Sequence, residues 1–242
     1  QVLAFYFLIR GLRDRRALDY ALSGLLTGLM AYTYLSSRLA AATLILYILF
    51  WFLSDPSGWQ AVLRRSGMGI LLFLLTTVVT ISPILVTYAS DPFTFGNRVT
   101  EISILKDINN QGSLKPLGDN LLDMLKFFHQ TGDLQGKHNL PGEPMTDPFT
   151  GLLFAIGLMY AIIGWRDQRR WLLLTWLALG LSGSFLSSNH ESPQSYRSLT
   201  ALPAVVMLAA DVLERAGRSL QRWLGEQSFS ARQPSLPTLA AG

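Results

Sequence analysis

The densest run of chemically able side chains in the 242 residues is Thr131-Gly132-Asp133-Leu134-Gln135-Gly136-Lys137-His138-Asn139-Leu140-Pro141-Gly142-Glu143-Pro144, closed by Asp147-Pro148. It places an imidazole, amide groups and three carboxylates in turn-forming backbone. Polar loops carried on a rigid scaffold are where binding and catalytic residues concentrate, so His138, Asn139 and Glu143 are candidates for the wall of a cavity. Asp147 has a plainer role, since an aspartate followed by proline reads as the N-cap and first residue of a helix. A second polar run, Asn189-His190-Glu191-Ser192-Pro193-Gln194-Ser195-Tyr196-Arg197, ends on an arginine just before an apolar stretch, and Arg38 sits in a short polar turn between two others. A guanidinium presents a planar fork of donors that matches a phosphate. The plainer alternative is a long side chain reaching from apolar surroundings toward headgroups. His138 and His190, with Glu143, Glu191 or Asp133, carry metal-ligating atoms. Their spacing fits no compact ligand motif, so a divalent metal stays only an open alternative.

What must position these residues is a series of apolar runs near 17–35, 39–53, 67–89, 148–164, 171–187 and 199–213. Lys and Arg fall mainly on alternate connections. The 10–16, 54–65 and 165–170 connections and the stretch beyond 213 hold 13 of the 20, and the other set holds 7, most of them within 90–147. Short cytoplasmic loops retain Lys and Arg, so the alternation predicts both the spans and their orientation. The expectation is an all-α polytopic protein of the plasma (cytoplasmic) membrane, with about six complete transmembrane helices plus a partial first one. The 90–147 loop would lie outside and the carboxy terminus inside.

Composition points the same way. Hydrophobic residues make up 50%, charged residues only 15%, and mean hydropathy is +0.30, which argues against an ordinary soluble domain. The net charge of +4 and pI near 9.5 do not imply nucleic acid, because the arginines stand at the edges of apolar runs. There they read as topology and as contacts to anionic membrane lipids. Absence of cysteine excludes disulfides and thiol chemistry. The 39–53 and 199–213 runs fall short of the roughly 20 residues a span needs and are expected to borrow flanking residues or tilt. Within the runs charges are nearly absent, which argues against proton- or ion-coupled transport. Asp211, beside Glu214 and Arg215 near the inner end of the last run, reads as part of a juxtamembrane ion pair and not as a proton relay.

The apolar stretch at 2–9 is too short to span a bilayer and reads as the end of a helix that begins upstream. Pro83 should kink its span and free a carbonyl that neighbouring groups must satisfy. Within the 90–147 loop, Leu121, Leu122, Leu125 and Phe128 recur at helical spacing, predicting an amphipathic helix over 119–129 on the outer membrane face. Residues 214–242 are expected to leave the 1–213 membrane domain as a cytoplasmic interfacial helix, bearing Leu220, Trp223 and Leu224 among arginines, and a disordered tail from Ser228.

Three stretches also resemble a known family: GLLTGLMAYTYLSSRLAAATL (24–44), GDLQGKHNLPGEPMTDPFTGLLFAIGL (132–158) and ESPQSYRSLTALP (191–203). They look like the later part of bacterial glycosyltransferase family 39 proteins, polytopic enzymes of the GT-C class related to protein O-mannosyltransferases and the lipid A aminoarabinose transferase. The resemblance spans roughly residues 17–210. It implies transfer of a sugar from a polyprenyl-phosphate carrier to an acceptor at the outer membrane face. In the family an aspartate of the first outer loop serves as base, and cationic groups stabilise the departing lipid phosphate. That loop lies upstream of this sequence, so no catalytic residue is expected here. Arg38 and Arg197 match arginines on the donor-phosphate side, while His138, Asn139 and Glu143 match the loop over the cavity. The implied partners are the polyprenyl-phosphate sugar donor, membrane lipids and an acceptor that the sequence does not name. A transporter or flippase component without enzymatic activity is the alternative, and a scaffold without a site is a third reading.

Overall fold

The computed structural model describes residues 1–33, 35–91, 93, 101–138 and 140–230, with 35, 36 and 225–230 described by backbone alone. Regular structure there is helical: α1 (Val2–Asp14), α2 (Ala17–Met30), α3 (Leu39–Ser54), α4 (Trp59–Ser90), α5 (Ile104–Gln111), α6 (Lys115–Phe127), α7 (Pro148–Ile163), α8 (Gln168–Phe185) and α9 (Leu202–Ser230). A 3-10 turn (Leu35–Arg38) leads into α3, and three short helical turns between Asn189 and Ala201 lead into α9. Among the described residues the one strand-like feature is an isolated antiparallel bridge between Ser103 and Ser187.

Local chemistry explains where these helices begin, bend and end. Asp147 Oδ1 accepts the backbone N–H groups of Phe149 and Thr150 at 3.1 and 3.0 Å, with Pro148 at the first helical position, as the dipeptide predicts. Asp167 does the same for Arg169 and Arg170 at the start of α8. α1 runs on to Asp14 and stops at Arg15 in the left-handed region (φ 58°). Arg10 and Arg13 therefore belong to the helix and not to the connection after it. In α4, Pro83 removes the N–H that would bond the Val79 carbonyl, and the Ser82 hydroxyl donates to that oxygen at 2.8 Å. The helix continues through the proline, and its first turns, from Trp59, take up part of the 54–65 connection.

The helices associate through close backbone approach as well as apolar packing. α2 lies against both α1 and α4, α3 against α8, and α7 against α9. The α2–α4 seam uses Gly24 and Gly28, four residues apart. A Cβ at Gly24 would sit 1.9 Å from Thr76 Oγ1, and one at Gly28 2.5 Å from Thr80 Cβ. Thr77 Oγ1 donates across the seam to the Gly24 carbonyl at 3.2 Å. This is a small-xxx-small spacing, which lets two helix backbones approach closely. Phe5 stacks on Trp176 at 3.9 Å between ring centroids and ties α1 to α8.

Many large apolar side chains lie on the exterior. α4 is the described helix long and apolar enough to cross a membrane; only 6% of its most apolar 18-residue window is buried. Leu71, Leu74, Leu75, Val78, Val79, Leu85 and Val86 are all exposed. α2, α3 and α7 are apolar but have 14, 16 and 16 residues, so they rise about 21–24 Å at 1.5 Å per residue. Each of the six expected spans falls on a helix (α2, α3, α4, α7, α8 and α9), and of these α4 is the one that is long and apolar enough by itself to cross a membrane among the described residues. The expected boundary near 213 does not interrupt the chain. α9 crosses it unbroken for 29 residues, and Ser228–Ser230, expected as tail, close that helix. Residues 231–242 lie outside the described residues.

The 101–147 region is more ordered than its Gly, Pro, Asn and Asp content suggests. α5 was not anticipated, and α6 starts four residues before the expected helix. The reason is tertiary. Ile104 N–H donates to the Leu186 carbonyl at 3.0 Å and Ser188 N–H to that of Ile102 at 2.8 Å, docking this region on the end of α8. α6 buries Asn120, Met124 and Phe127 and leaves Leu121, Leu122 and Leu125 exposed. Phe128, expected on the leucine face, is buried instead.

The connections gather into two groups. Arg15, Arg65 (paired with Asp55) and Asp167 share a cavity with Asp211–Arg218 of α9, whereas the turn at 35–38, the 101–147 region and the 186–201 connection meet at the other end. α8 joins the two groups, and its 18 residues span about 27 Å.

Candidate functional site

Asp133 is the hub of the loop-bearing end. It is 1% exposed and accepts three N–H donors: Gln135 N to Oδ1 at 2.8 Å, Ser195 N to Oδ2 at 2.8 Å and His138 Nδ1 to Oδ2 at 2.9 Å. Three donors replace the water that burial has removed from the carboxylate. The His138 bond fixes the ring with its Nδ1–H on the carboxylate, so Nε2 is the nitrogen left for a second partner. Tyr196 packs edge-on against the imidazole at 4.7 Å. Through the Ser195 bond, residues 62 positions apart in sequence are held together, and the 131–147 loop is fastened to the connection that carries Arg197.

Arg197 is buried, with its side chain 6% exposed. One terminal nitrogen donates to the Ser187 hydroxyl and the other to Glu191 Oε2 at 2.5 Å. Gln194 N–H donates to Ser184 Oγ at 2.8 Å. Asn120 donates its amide protons to the carbonyls of Phe185 and Ser187 at 2.8 and 2.7 Å, clamping α6 onto the end of α8. Asp107 accepts the Asn189 N–H at 2.8 Å. Around this framework, Asn120 Oδ1, Ser188 Oγ, Asn189 Oδ1, Ser192 Oγ, Gln194 Oε1 and Ser198 Oγ are buried with no hydrogen-bond partner among the described residues. Unsatisfied buried polar atoms are costly, and their concentration here leaves hydrogen-bonding capacity that the surrounding protein does not use.

The 35–38 turn packs against the 195–198 turn, bringing the two candidate phosphate-binding arginines to adjacent backbone. Arg38 is half-buried; it donates to the Tyr88 hydroxyl at 2.5 Å, and its guanidinium lies 5.1 Å from the centre of the Tyr88 ring. Glu143 and His190 are exposed. Asn139 lies outside the described residues. Of the suggested metal ligands, His138 and Asp133 meet through their hydrogen bond while Glu191 pairs with Arg197, and no group of three or more His, Cys, Asp or Glu side chains converges among the described residues.

The sequence pattern understated Asp133, which entered only as a conceivable metal ligand, and missed Asn120 and Asp107. An Asp and a His five residues apart across a Gly-containing turn was the available signal for the first. The other two gain their roles from long-range contacts that no local pattern encodes. The carboxylate of Asp147 is drawn below the usual range, chiefly by hydrogen bonding to Thr150. That effect belongs to helix capping and not to the site. No protein-family model, curated protein or solved structure matches the chain.

Proposed function

We propose that the chain forms part of a polytopic membrane glycosyltransferase that moves a sugar from a polyprenyl-phosphate-linked donor to an acceptor at the outer membrane face. The observation carrying this reading is convergence. The three stretches that resemble glycosyltransferase family 39 supply the Arg38 turn, the Asp133–His138 pair and Arg197, and these come together at one end of the bundle. The membrane part of the proposal is supported by the exposed apolar face of α4, since soluble monomers rarely expose apolar patches beyond a few hundred Å². It is also supported by the sorting of arginine-rich connections to the end away from the loops. In this reading Arg197, oriented by Glu191 and Ser187, and Arg38, braced by Tyr88, stabilise the charge that grows on the leaving phosphate. The unpartnered polar atoms from Ser188 to Ser198 face donor hydroxyls, and His138 Nε2 addresses the sugar or the acceptor.

The test is photo-crosslinking in membrane vesicles with a polyprenyl-phosphate probe carrying a photoreactive group near the phosphate. Adducts should map to 131–138 and 187–198 and be competed by unlabelled polyprenyl phosphate. Labelling no stronger than that of a zwitterionic lipid probe would overturn the donor assignment. A transporter or flippase remains the second reading. It is favoured if the probe is bound and translocated while no sugar leaves it.

A further inference from the structure

The end of the bundle away from the loops holds a cavity of about 1190 Å³. Its rim carries seven arginines against three carboxylates, and its floor includes Leu12, Tyr47, Trp51, Leu172 and Leu208. Four of those arginines are already committed: Arg13 to Asp14, Arg65 to Asp55, Arg215 to Asp211 and Arg218 to Glu214. Arg65 also lies over the Trp51 ring, 5.3 Å from its centre. Arg15, Arg169 and Arg170 have no carboxylate partner among the described residues. Arg170 donates only to the Tyr160 carbonyl at 3.3 Å, and the Asp167 carboxylate is taken up by the backbone of α8. Unneutralised cations thus stand around a hollow with an apolar floor, Arg15 as the left-handed residue that ends α1 and Arg169 in the first turn of α8.

An anion alone would match the rim and leave the floor wet; an apolar molecule alone would leave the guanidinium groups uncompensated. We infer that this cavity binds an anionic lipid, its phosphate held by Arg15, Arg169 and Arg170 and the start of its acyl chain lying on the Trp51 and Leu172 floor. Basic recesses between membrane helices on the cytoplasmic side take headgroups of this kind. The volume exceeds the roughly 300–1,000 Å³ of ordinary small-molecule sites, so a headgroup alone would not fill it. The inference borrows from the membrane reading only the source of the ligand and nothing from sugar transfer.

The experiment is thermal melting of the protein in non-ionic detergent, followed by tryptophan fluorescence, with dioleoyl phosphatidylglycerol, dioleoyl phosphatidylcholine or inorganic phosphate added. A ligand bound by the folded state raises the melting temperature in proportion to its occupancy. Phosphatidylglycerol should do so saturably and the other two should not. Arg15→Gln combined with Arg169→Gln should weaken the apparent affinity by roughly tenfold or more for each arginine, while Arg64→Gln, outside the cavity, should not. Melting without lipid reports whether the double variant folds. If it does not, Arg169→Lys, which keeps the charge, is expected to retain most of the shift, and one phosphatidylglycerol should stay bound to the unaltered protein in native mass spectrometry. Equal shifts with phosphatidylcholine would overturn the charge argument, and equal shifts with inorganic phosphate would overturn the lipid. An unchanged shift in a folded double variant would overturn the location. Arg197→Ala should leave the phosphatidylglycerol shift intact, so failure here and failure of the glycosyltransferase reading fall on separate measurements.

Discussion

Removing the Asp133 carboxylate is the most direct probe of how the loop-bearing end is held. Asp133→Asn keeps the volume and one acceptor. With the amide oxygen in the Oδ2 position, the bonds from His138 and Ser195 survive while the new NH2 faces the Gln135 N–H, donor against donor. That leaves one buried bond broken and costs about 2 kcal/mol. Asp133→Ala strands all three donors, and the Ser195 N–H is enclosed with them. A cost of about 4 kcal/mol follows if two of the three find no water. For a chain of this size each kcal/mol moves the melting temperature by roughly 2–4 °C, so losses of about 6 °C for Asn and 12 °C for Ala are expected. Tryptophan-fluorescence melting in detergent measures them, and His138→Ala, which strands no buried backbone N–H, should fall below either. A melting temperature for Asp133→Ala within about 2 °C of the unaltered protein would refute the hub and show that the loop is held by packing alone.

Four further outcomes are expected. In the donor-phosphate reading, Arg197→Ala should slow sugar transfer by roughly 30- to 1000-fold, corresponding to about 2–4 kcal/mol, with Arg197→Lys intermediate because it keeps the charge and loses the fork; Glu191→Gln should preserve donor binding, and equal loss of stability in all three variants with no change in donor affinity would make the pair purely structural. Gly28→Leu should separate α2 from α4, read as loss of the folded fraction on size-exclusion chromatography in detergent, and an unaltered profile would refute the close seam. Because the chain has no cysteine, cysteines placed at Ser113 and Ser57 report topology cleanly: a membrane-impermeant thiol reagent on intact cells should label the first, and labelling of the second alone would invert the orientation. The folded carboxyl of Asp147 titrates below its unfolded value, so its contribution is complete above the unfolded pKa near 4 and is lost as pH falls through the lower folded value; melting between pH 5 and pH 3 should decline less steeply in Asp147→Asn, which still caps the helix, and an identical slope would exclude the effect.

The helical class, the Asp147 cap and the tight turn at Arg38 were legible because each is written in a few neighbouring residues. So was the rescue of the carbonyl freed by Pro83, though not the hydroxyl that performs it. The amphipathic pattern located α6 but misplaced Phe128, because a leucine stripe says which residues are apolar and not which side meets the core. α5 was less legible: Ser103 and Gly112 cap its ends, but eight residues of ILKDINNQ make a marginal helix until Asp107 and Ile104 find the backbone at 186–189. The same limit applies to the candidate site. Arg197 stood out by its type and place, yet its pairing with Glu191 depends on the fold of the connection between them. The glycines of the α2–α4 seam were visible at 24 and 28 and went unread, since periodicity weighs side chains and these act by having none.

The continuity of α9 has a mechanical consequence. Its first turns adjoin the connection that carries Arg197, and its middle lines the arginine-rimmed cavity. An unbroken helix of this kind passes a tilt at one end on to the other. With about 24 Å between Leu202 and Arg218, a tilt of roughly 5° about the upper turns would carry the guanidinium of Arg218 through about 2 Å, comparable to the width of a hydrogen bond. Spin labels at Val206 and Leu220, both exposed, should accordingly keep one narrow separation of about 21 Å whatever either end of the molecule holds, and a broad or two-peaked distribution would mean that the rod has a joint.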